Sequence, residues 1–313
     1  MALTELCYKI SFFFFLFIVK QIWNVLYTFW IGPSRNKIDI RSYGQWALVT
    51  GCTDGIGKEY ARQLADRGCD IILVSRSLDK LKKVASEIEK DYNVQTKVIQ
   101  IDFTGDESIY DKLEKEIQGL EIGTLVNNVG LAYPYLEYFL DLPDWKKLMR
   151  DLVNVNVVST IRVTGLVLPE MVKRGKGIVI NLGSASANLQ SPLLVVYSAA
   201  KAFVVKFTDG LRYEYANKGI IIQCLSPSLI ATNMTGVESP NFVVPPPEKY
   251  VASALSLLGS THRSTGYFPH SCLMWVYKTV EFLSEDFGAW ACRTASEFGQ
   301  VLMLKQQGRI KTQ

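Results

Sequence analysis

Six short apolar runs recur between residues 46 and 226: WALVT (46–50), DIILVS (70–75), TKVIQI (96–101), TLVNN (124–128), GIVINL (177–182) and IIIQCLS (220–226). Runs this continuous lack the alternation of a half-exposed sheet and predict strands covered on both faces. Between them, apolar residues fall three and four apart with charges opposite, as at Leu78, Leu81, Val84, Ala85 and Ile88, which is helical spacing. Strand and helix in alternation predict an α/β fold of Rossmann type. Its doubly wound parallel sheet has at least six strands, with helices on both faces joined by right-handed crossovers.

The ends of the chain follow other patterns. Residues Ile10 to Ile31 read ISFFFFLFIVKQIWNVLYTFWI, almost wholly apolar and aromatic. As a helix this stretch is roughly 33 Å long, enough to cross a hydrocarbon core. Lys20, Gln21 and Asn24 oppose insertion, since a central lysine costs about 2.5–3.5 kcal/mol, and a hairpin or an interfacial helix is the alternative to a span. A cleaved signal peptide fits less well, because Lys20-Gln21-Ile22-Trp23 offers no small-residue cleavage site. Arg35, Lys37 and Arg41 follow the segment while Lys9 precedes it, so the positive-inside rule places the main body in the cytoplasm.

Towards the other end, Pro240, Pro245, Pro246 and Pro247 punctuate an irregular stretch, and Ser271 to Leu283 is again apolar and aromatic. That pattern fits a lid over the ligand followed by a membrane-surface or dimer helix, or a helix packed on the body. The division expected is an N-terminal membrane anchor over 1–40, a Rossmann-fold body over 41–270 and a C-terminal helical extension over 271–313.

Composition narrows the classes of function. The chain has 313 residues, 48% of them hydrophobic, which allows one large core. Its formal charge of +4 is spread through mixed segments such as Asp79 to Asp91, with no basic stripe to neutralise nucleic acid. The six cysteines at 7, 52, 69, 224, 272 and 292 contain no C-x-x-C pair, which speaks against a disulfide framework or a structural zinc site. With only His262 and His270 present, serine-histidine hydrolysis and histidine metal chemistry have little support.

Directly after the first predicted strand comes Thr50-Gly51-Cys52-Thr53-Asp54-Gly55-Ile56-Gly57, opening a helix through Tyr60, Leu64 and Ala65. Glycines at such a turn let backbone N–H groups and the positive end of the helix approach a pyrophosphate. At the end of the second strand stands Ser75-Arg76, with no acid for a ribose 2′-hydroxyl. An arginine there suits the 2′-phosphate, so NADPH is the expected cofactor. Asp102 ends the third strand, where a carboxylate can accept from an adenine amino group. Asn127, Asn128 and Gly130 end the fourth, at the edge where open α/β sheets bind ligand.

Of the 15 tyrosines, only Tyr197 has a lysine, Lys201, four residues on, which places both on one helical face. A strand ending Asn181-Leu182-Gly183-Ser184 comes just before them. A phenol with a pKa near 10 is a poor acid at neutral pH, and a neighbouring ammonium is expected to lower it. Tyr197 is then the proton donor to a carbonyl oxygen that Ser184 also holds. Lys201 reaches the nicotinamide ribose, and Asn156, on the preceding helix, is placed to bind a water leading from Lys201 to solvent.

Together the T-G-x-x-x-G-I-G turn, N-N-x-G, Asn156, Ser184 and Tyr197-x-x-x-Lys201, in this order, resemble the short-chain dehydrogenase/reductase family over about residues 45–232. The resemblance implies a catalytic tetrad of Asn156, Ser184, Tyr197 and Lys201. It implies cofactor contacts from Gly51, Thr53, Asp54, Gly55, Ile56, Gly57, Ser75, Arg76, Asp102, Asn128, Gly130, Tyr197, Lys201, Pro227 and Thr232, no metal, and a homodimer.

Gly44-Gln45-Trp46-Ala47, Gly119-Leu120-Glu121-Ile122-Gly123 and Ser264-Thr265-Gly266-Tyr267 look like one branch of the family. It is the branch of 17-beta-hydroxysteroid dehydrogenases of types 3 and 12, or very-long-chain 3-oxoacyl-CoA reductase. It implies an endoplasmic-reticulum membrane enzyme, facing the cytosol, that reduces a ketone on an acyl-CoA or a steroid with NADPH.

The chain departs from the pattern at Gly183, where many members have a serine, and at Pro227-Ser228, where Pro-Gly is common. Arg309 and Lys311 only approximate a dilysine retrieval signal. A catalytically silent, membrane-bound nucleotide-binding scaffold is the rival reading, against which the full set of Ser184, Tyr197 and Lys201 argues. A lumenal enzyme would be marked by a glycan on the sequon Asn233-Met234-Thr235.

Overall fold

The structure, a computed structural model, describes residues 2–306. Arg309 and Lys311 lie outside the described residues. Helix α1 (Ala2–Leu26) runs through a π-helical turn (Tyr27–Ile31) into the single turn α2 (Gly32–Arg35). The body then alternates β1 (Trp46–Thr50), α3 (Gly55–Ala65), β2 (Asp70–Ser75), α4 (Leu78–Tyr92), β3 (Thr96–Gln100), α5 (Ser108–Ile117) and β4 (Ile122–Asn127). Next come α6 (Trp145–Val153), α7 (Ser159–Arg174), β5 (Gly177–Leu182), α8 (Val195–Tyr215), β6 (Ile220–Leu225), α9 (Pro247–Ser256) and β7 (Arg263–Ser264). Helices α10 (Phe268–Leu283) and α11 (Glu285–Gln306) follow.

The seven strands lie in the order β3-β2-β1-β4-β5-β6-β7, all neighbours parallel, which is the expected doubly wound sheet with one strand added. Side chains leave a strand alternately up and down, and here both directions are dry. Ala47, Val49, Ile71 and Leu73 meet Tyr60, Leu64, Leu81, Ile88, Val251 and Ala254 on one face. Leu48, Ile72, Val74 and Leu125 meet Leu113, Val163, Val167 and Met171 on the other. Each such buried aliphatic contributes about 1.5–3 kcal/mol relative to exposure, which explains the unbroken apolar runs.

Strand order reverses between β1 and its neighbour β4, so the connections leaving these strands diverge and open a crevice at their carboxyl ends. That crevice holds the site described below.

Ser11–Arg35 forms a helical stretch long and apolar enough to cross a membrane by length and composition, and it is not buried against the body. Trp145–Arg174 passes the same test but is half buried, as a helix covering the sheet. The C-terminal extension starts inside the body, with Pro269 and His270 buried, and continues outward as the hairpin of α10 and α11.

Candidate active site

The turn from β1 to α3 shows why small residues stand there. Gly51 and Gly55 have positive φ (67° and 50°), a backbone region that favours glycine. A Cβ on Gly57 would lie 2.3 Å from both the Gly51 carbonyl oxygen and Asn128 Nδ2. Asp54 caps α3, its carboxylate accepting from the Gly55 N–H at 2.7 Å, and Asn233 donates to the same side chain.

Thr50, which sequence reasoning passed over, fastens the turn to β4. Its hydroxyl oxygen accepts from the N–H groups of Asn128 and Val129, both at 3.0 Å. In return Asn128 Nδ2 donates to the carbonyls of Thr50 (2.9 Å) and Gly51 (3.1 Å). The Asn128 side chain therefore shapes the turn.

Asn127 does not face the crevice as its strand-end position suggested. It is buried, donating to Thr164 Oγ1 (2.9 Å) and Asn181 Oδ1 (2.8 Å), while Asn181 donates to Thr208 Oγ1 (2.9 Å). This satisfied polar chain ties β4, α7, β5 and α8 together beneath the site.

A cleft of about 340 Å³ runs along the carboxyl edge of the sheet. Gly51, Thr53, Asp54, Gly55, Ile56 and Gly57 line it at the turn, with Ser75, Arg76 and Asp102 at one end. Asn128, Gly130, Ser184, Tyr197, Lys201, Pro227 and Thr232 line the other end. Every residue expected to touch a cofactor is thus gathered in one cleft, and of the four expected catalytic residues only Asn156 stands behind its wall. A Rossmann cleft with a glycine cradle at a helix N-terminus fits a dinucleotide, pyrophosphate against the turn. Thr53 and Ser75 share a hydrogen bond at 3.2 Å, and Asp102 accepts from the Thr104 N–H and hydroxyl at 3.0 and 2.9 Å. Arg76 is exposed, and no ion pair ties up its guanidinium among the described residues.

At the reacting end, Tyr197 and Lys201 lie one turn apart on α8, with the Lys201 ammonium 5.8 Å from the Tyr197 ring centroid. Lys201 is buried and donates to the Leu182 carbonyl at 3.0 Å. Burial pushes its pKa down to about 8. Burial also pushes the Tyr197 phenol up, with the neighbouring Ser184 hydroxyl opposing. The expected lowering by Lys201 is not what dominates here, because loss of hydration outweighs a cation that is bonded to a backbone carbonyl.

Ser184 Oγ accepts from the Ser186 N–H (3.2 Å) and hydroxyl (2.9 Å), so its own hydrogen is the one left to donate. Asn156 sits on a π-helical turn, Asn154–Val158, between α6 and α7. Its amide donates to the carbonyls of Leu131 (2.8 Å) and Leu152 (3.0 Å). Gly130 separates Asn156 from Lys201: a Cβ there would lie 3.2 Å from Asn156 Oδ1 and 3.5 Å from Lys201 Nζ. Such π-turns often mark functional sites, and here the turn directs Asn156 to the backbone beside the cleft.

His270 is the other residue that sequence reasoning missed. It is fully buried at the start of α10, and its Nδ1 accepts from the Ser228 N–H at 3.3 Å. That fixes the proton on Nε2, which donates to the Val243 carbonyl at 3.0 Å. One ring thereby joins the Pro227-Ser228 corner of the cleft to the irregular segment before α9, at the position where the expected Pro-Gly is absent. Only the histidine's long-range partners give it this role, and nothing local in the sequence signals them.

Comparisons with known proteins agree with this geometry. A family model described as short chain dehydrogenase matches residues 45–241. The very-long-chain 3-oxoacyl-CoA reductase of Anas platyrhynchos is 48% identical over 237 residues, 76% of each chain. That of Rattus norvegicus is 46% identical over 274 residues, 85% of each chain.

A short-chain dehydrogenase from Sphingobium yanoikuyae, solved in complex with NADPH, superposes with a TM-score of 0.62 at 29% identity, covering 67% of this chain and 82% of that one. A 7beta-hydroxysteroid dehydrogenase gives a TM-score of 0.74 at 23% identity, covering 82% of this chain and 99% of that one, a likeness of fold. The fold is one that binds a nicotinamide cofactor, and the chain belongs to the short-chain dehydrogenase family.

Proposed function

We propose that this protein uses NADPH to reduce the 3-oxo group of a very-long-chain 3-oxoacyl-CoA, working at the cytosolic face of the endoplasmic-reticulum membrane with α1 as its anchor. The observation that carries the reading is the meeting of Ser184, Tyr197 and Lys201 at one end of a dinucleotide cleft, in a chain 46–48% identical to reductases of that name. Arg76, with no ion pair among the described residues and lining the cleft at the end of β2, supports the 2′-phosphate form of the cofactor. A substrate whose chain partitions into lipid also explains why an enzyme of this kind would carry an apolar helix.

In this reading, bound NADPH supplies the hydride to the carbonyl carbon. Ser184 donates its free hydroxyl hydrogen to the carbonyl oxygen and orients it. Tyr197, which burial keeps protonated at neutral pH, gives its proton to that oxygen as negative charge develops there. The phenolate left behind is stabilised by the Lys201 ammonium on the same face of α8. Leu182, through its carbonyl, holds that ammonium in place. Asn156 supports the wall at Gly130 and Leu131, against which Lys201 rests. The Asn233 side chain donates to Asp54 at the cofactor turn, a bond that a glycan on this amide would disturb.

The reaction itself is the first test. Full-length protein in detergent with NADPH is expected to consume the cofactor, read from its absorbance, when a long-chain 3-oxoacyl-CoA is added. Consumption with a 17-keto steroid alone would overturn the substrate assignment, and none with either would return the scaffold reading.

A second expectation concerns pH. The step places a phenolate beside Lys201, so it needs the ammonium form, which the buried side chain gives up as pH rises through about 8. The turnover rate for reduction is expected to fall across that range. A rate that stays level well above it would remove Lys201 from the role.

A further inference from the structure

Helices α1 and α10 leave the body side by side. The Trp30 ring packs edge-on to Phe268 at 4.9 Å, and Phe17 stacks on Phe282 at 6.2 Å. As residue numbers rise along α1 they rise in the opposite direction along α10, so the pair is antiparallel. The interval from Phe17 to Trp30 and that from Phe268 to Phe282 are each about 20 Å at about 1.5 Å per residue.

Helix α11 returns over a similar distance. It meets the body again where Gln300 donates to Glu137 at 2.9 Å and Gly299 approaches Leu136. From Glu285 to that point is about 22 Å. The hairpin thus has two legs of one length, and its turn at Ser284 lies level with the phenylalanine-rich part of α1. Whatever depth that part of α1 occupies in a bilayer, the end of α10 occupies too.

The side chains are sorted to match. Leu273, Val276 and Phe282 of α10, and Phe287, Trp290 and Phe298 of α11, are exposed, forming a large apolar surface beside the exposed face of α1. A cavity of about 310 Å³ between α1, α10 and the body is lined by Gln21, Asn24 and Thr28 from α1 and by Ser271, Lys278 and Thr279 from α10. Gln21, Thr28, Ser271 and Thr279 are half-buried between the helices and the body, while Asn24 and Lys278 are exposed at the edge of the same space. Arg293 is paired with Glu297 at 2.8 Å. Half-buried and paired polar groups beside an apolar outer face are what helices packed together in lipid show. Of the residues that opposed insertion of α1 in isolation, Gln21 is half-buried in this cavity and Asn24 lines its rim.

Resting on the reading of α1 as a membrane anchor, we propose that the α10–α11 hairpin is embedded beside it, with phospholipid acyl chains as the partner of its outer face. Neither helix qualifies as a span by its own length and composition. They enter as a unit with α1, the hairpin turn lying beside Phe17. The hairpin also holds two loops of the body: Tyr277 accepts from the Gln190 N–H at 3.3 Å, between Ser184 and Tyr197 in the chain, and Gln300 donates to Glu137 at 2.9 Å. The body is thereby tied to the hairpin at two loops.

The test is photocrosslinking in the full-length chain, reconstituted in phosphatidylcholine vesicles, with p-benzoylphenylalanine incorporated at Phe14, Phe282, Trp290 or Lys115. Lipid adducts at Phe14, Phe282 and Trp290, and none at the body position Lys115, are expected. Adducts at Phe14 alone would overturn the hairpin proposal and leave the anchor standing. Absence at all four positions would remove the anchor and the hairpin together. Crosslinks from Phe282 or Trp290 to a second copy of the chain, in place of lipid, would overturn the proposal in favour of self-association.

Discussion

Tyr197→Phe is expected to slow reduction by about 10²- to 10⁴-fold, the usual worth of a positioned general acid, while binding of the nicotinamide cofactor persists. The ring remains to fill its place, and only the hydroxyl is lost. Lys201 keeps its position without that hydroxyl, because its ammonium donates to the Leu182 carbonyl and sits against the tyrosine ring at 5.8 Å. The glycine turn and Arg76 lie at the other end of the cleft and are untouched. Cofactor binding followed by fluorescence titration, together with turnover on a 3-oxoacyl-CoA, separates the two effects. Undiminished turnover would rule out Tyr197 as the proton donor. Loss of binding along with turnover would mean that the phenol supports the cleft and has no distinct part in proton transfer.

Arg76→Glu is expected to reverse the choice of cofactor. A hydrogen bond to a charged group is worth about 1.5–3 kcal/mol, or about 10- to 100-fold in affinity, and a carboxylate in its place adds repulsion of the 2′-phosphate. NADPH affinity should fall by at least that factor, while NADH, which presents hydroxyls there, should bind as well or better. The substitution is safe for the fold, since the Arg76 side chain is exposed and it is the backbone carbonyl that accepts from Gln100 Nε2, at 3.0 Å. The ratio of kcat/KM for the two cofactors is the measurement. An unchanged ratio would show that the 2′-phosphate is recognised elsewhere.

The core of this architecture was readable because the information is local. Strands buried on both faces must be apolar throughout, so six of them stand out in the chain, whereas β7 does not. It is the pair Arg263–Ser264, a strand only because Cys224 and Leu225 of β6 lie beside it. Tyr197 and Lys201 were legible for a similar reason, since a helix converts a spacing of four into a shared face.

What escaped was set by distant neighbours. Asn127 looked like a ligand contact because it ends a strand, and which way it turns is decided by Thr164 and Asn181. Thr50 and His270 hold the two corners of the cleft through partners 78 and 42 residues away. The direction of the Tyr197 shift was misjudged because a charge four residues off is visible in a sequence and the surrounding dryness is not. Lys20, Gln21 and Asn24 read as flaws in a membrane segment, and Gln21 is half-buried in the cavity beside α10, with Asn24 at its rim.

The antiparallel pairing of α1 with α10 also joins two helices that leave the ribosome far apart in time. At about 5–20 residues per second, the stretch of chain between Trp30 and Phe268 takes on the order of 10–50 s to emerge. Throughout that interval Gln21 and Asn24 have no α10 to face. A message cut short between β1 and the codon for Phe268 yields a chain that has α1 and leaves this seam open. The amides inside α1 therefore gain their cavity only once α10 has been made.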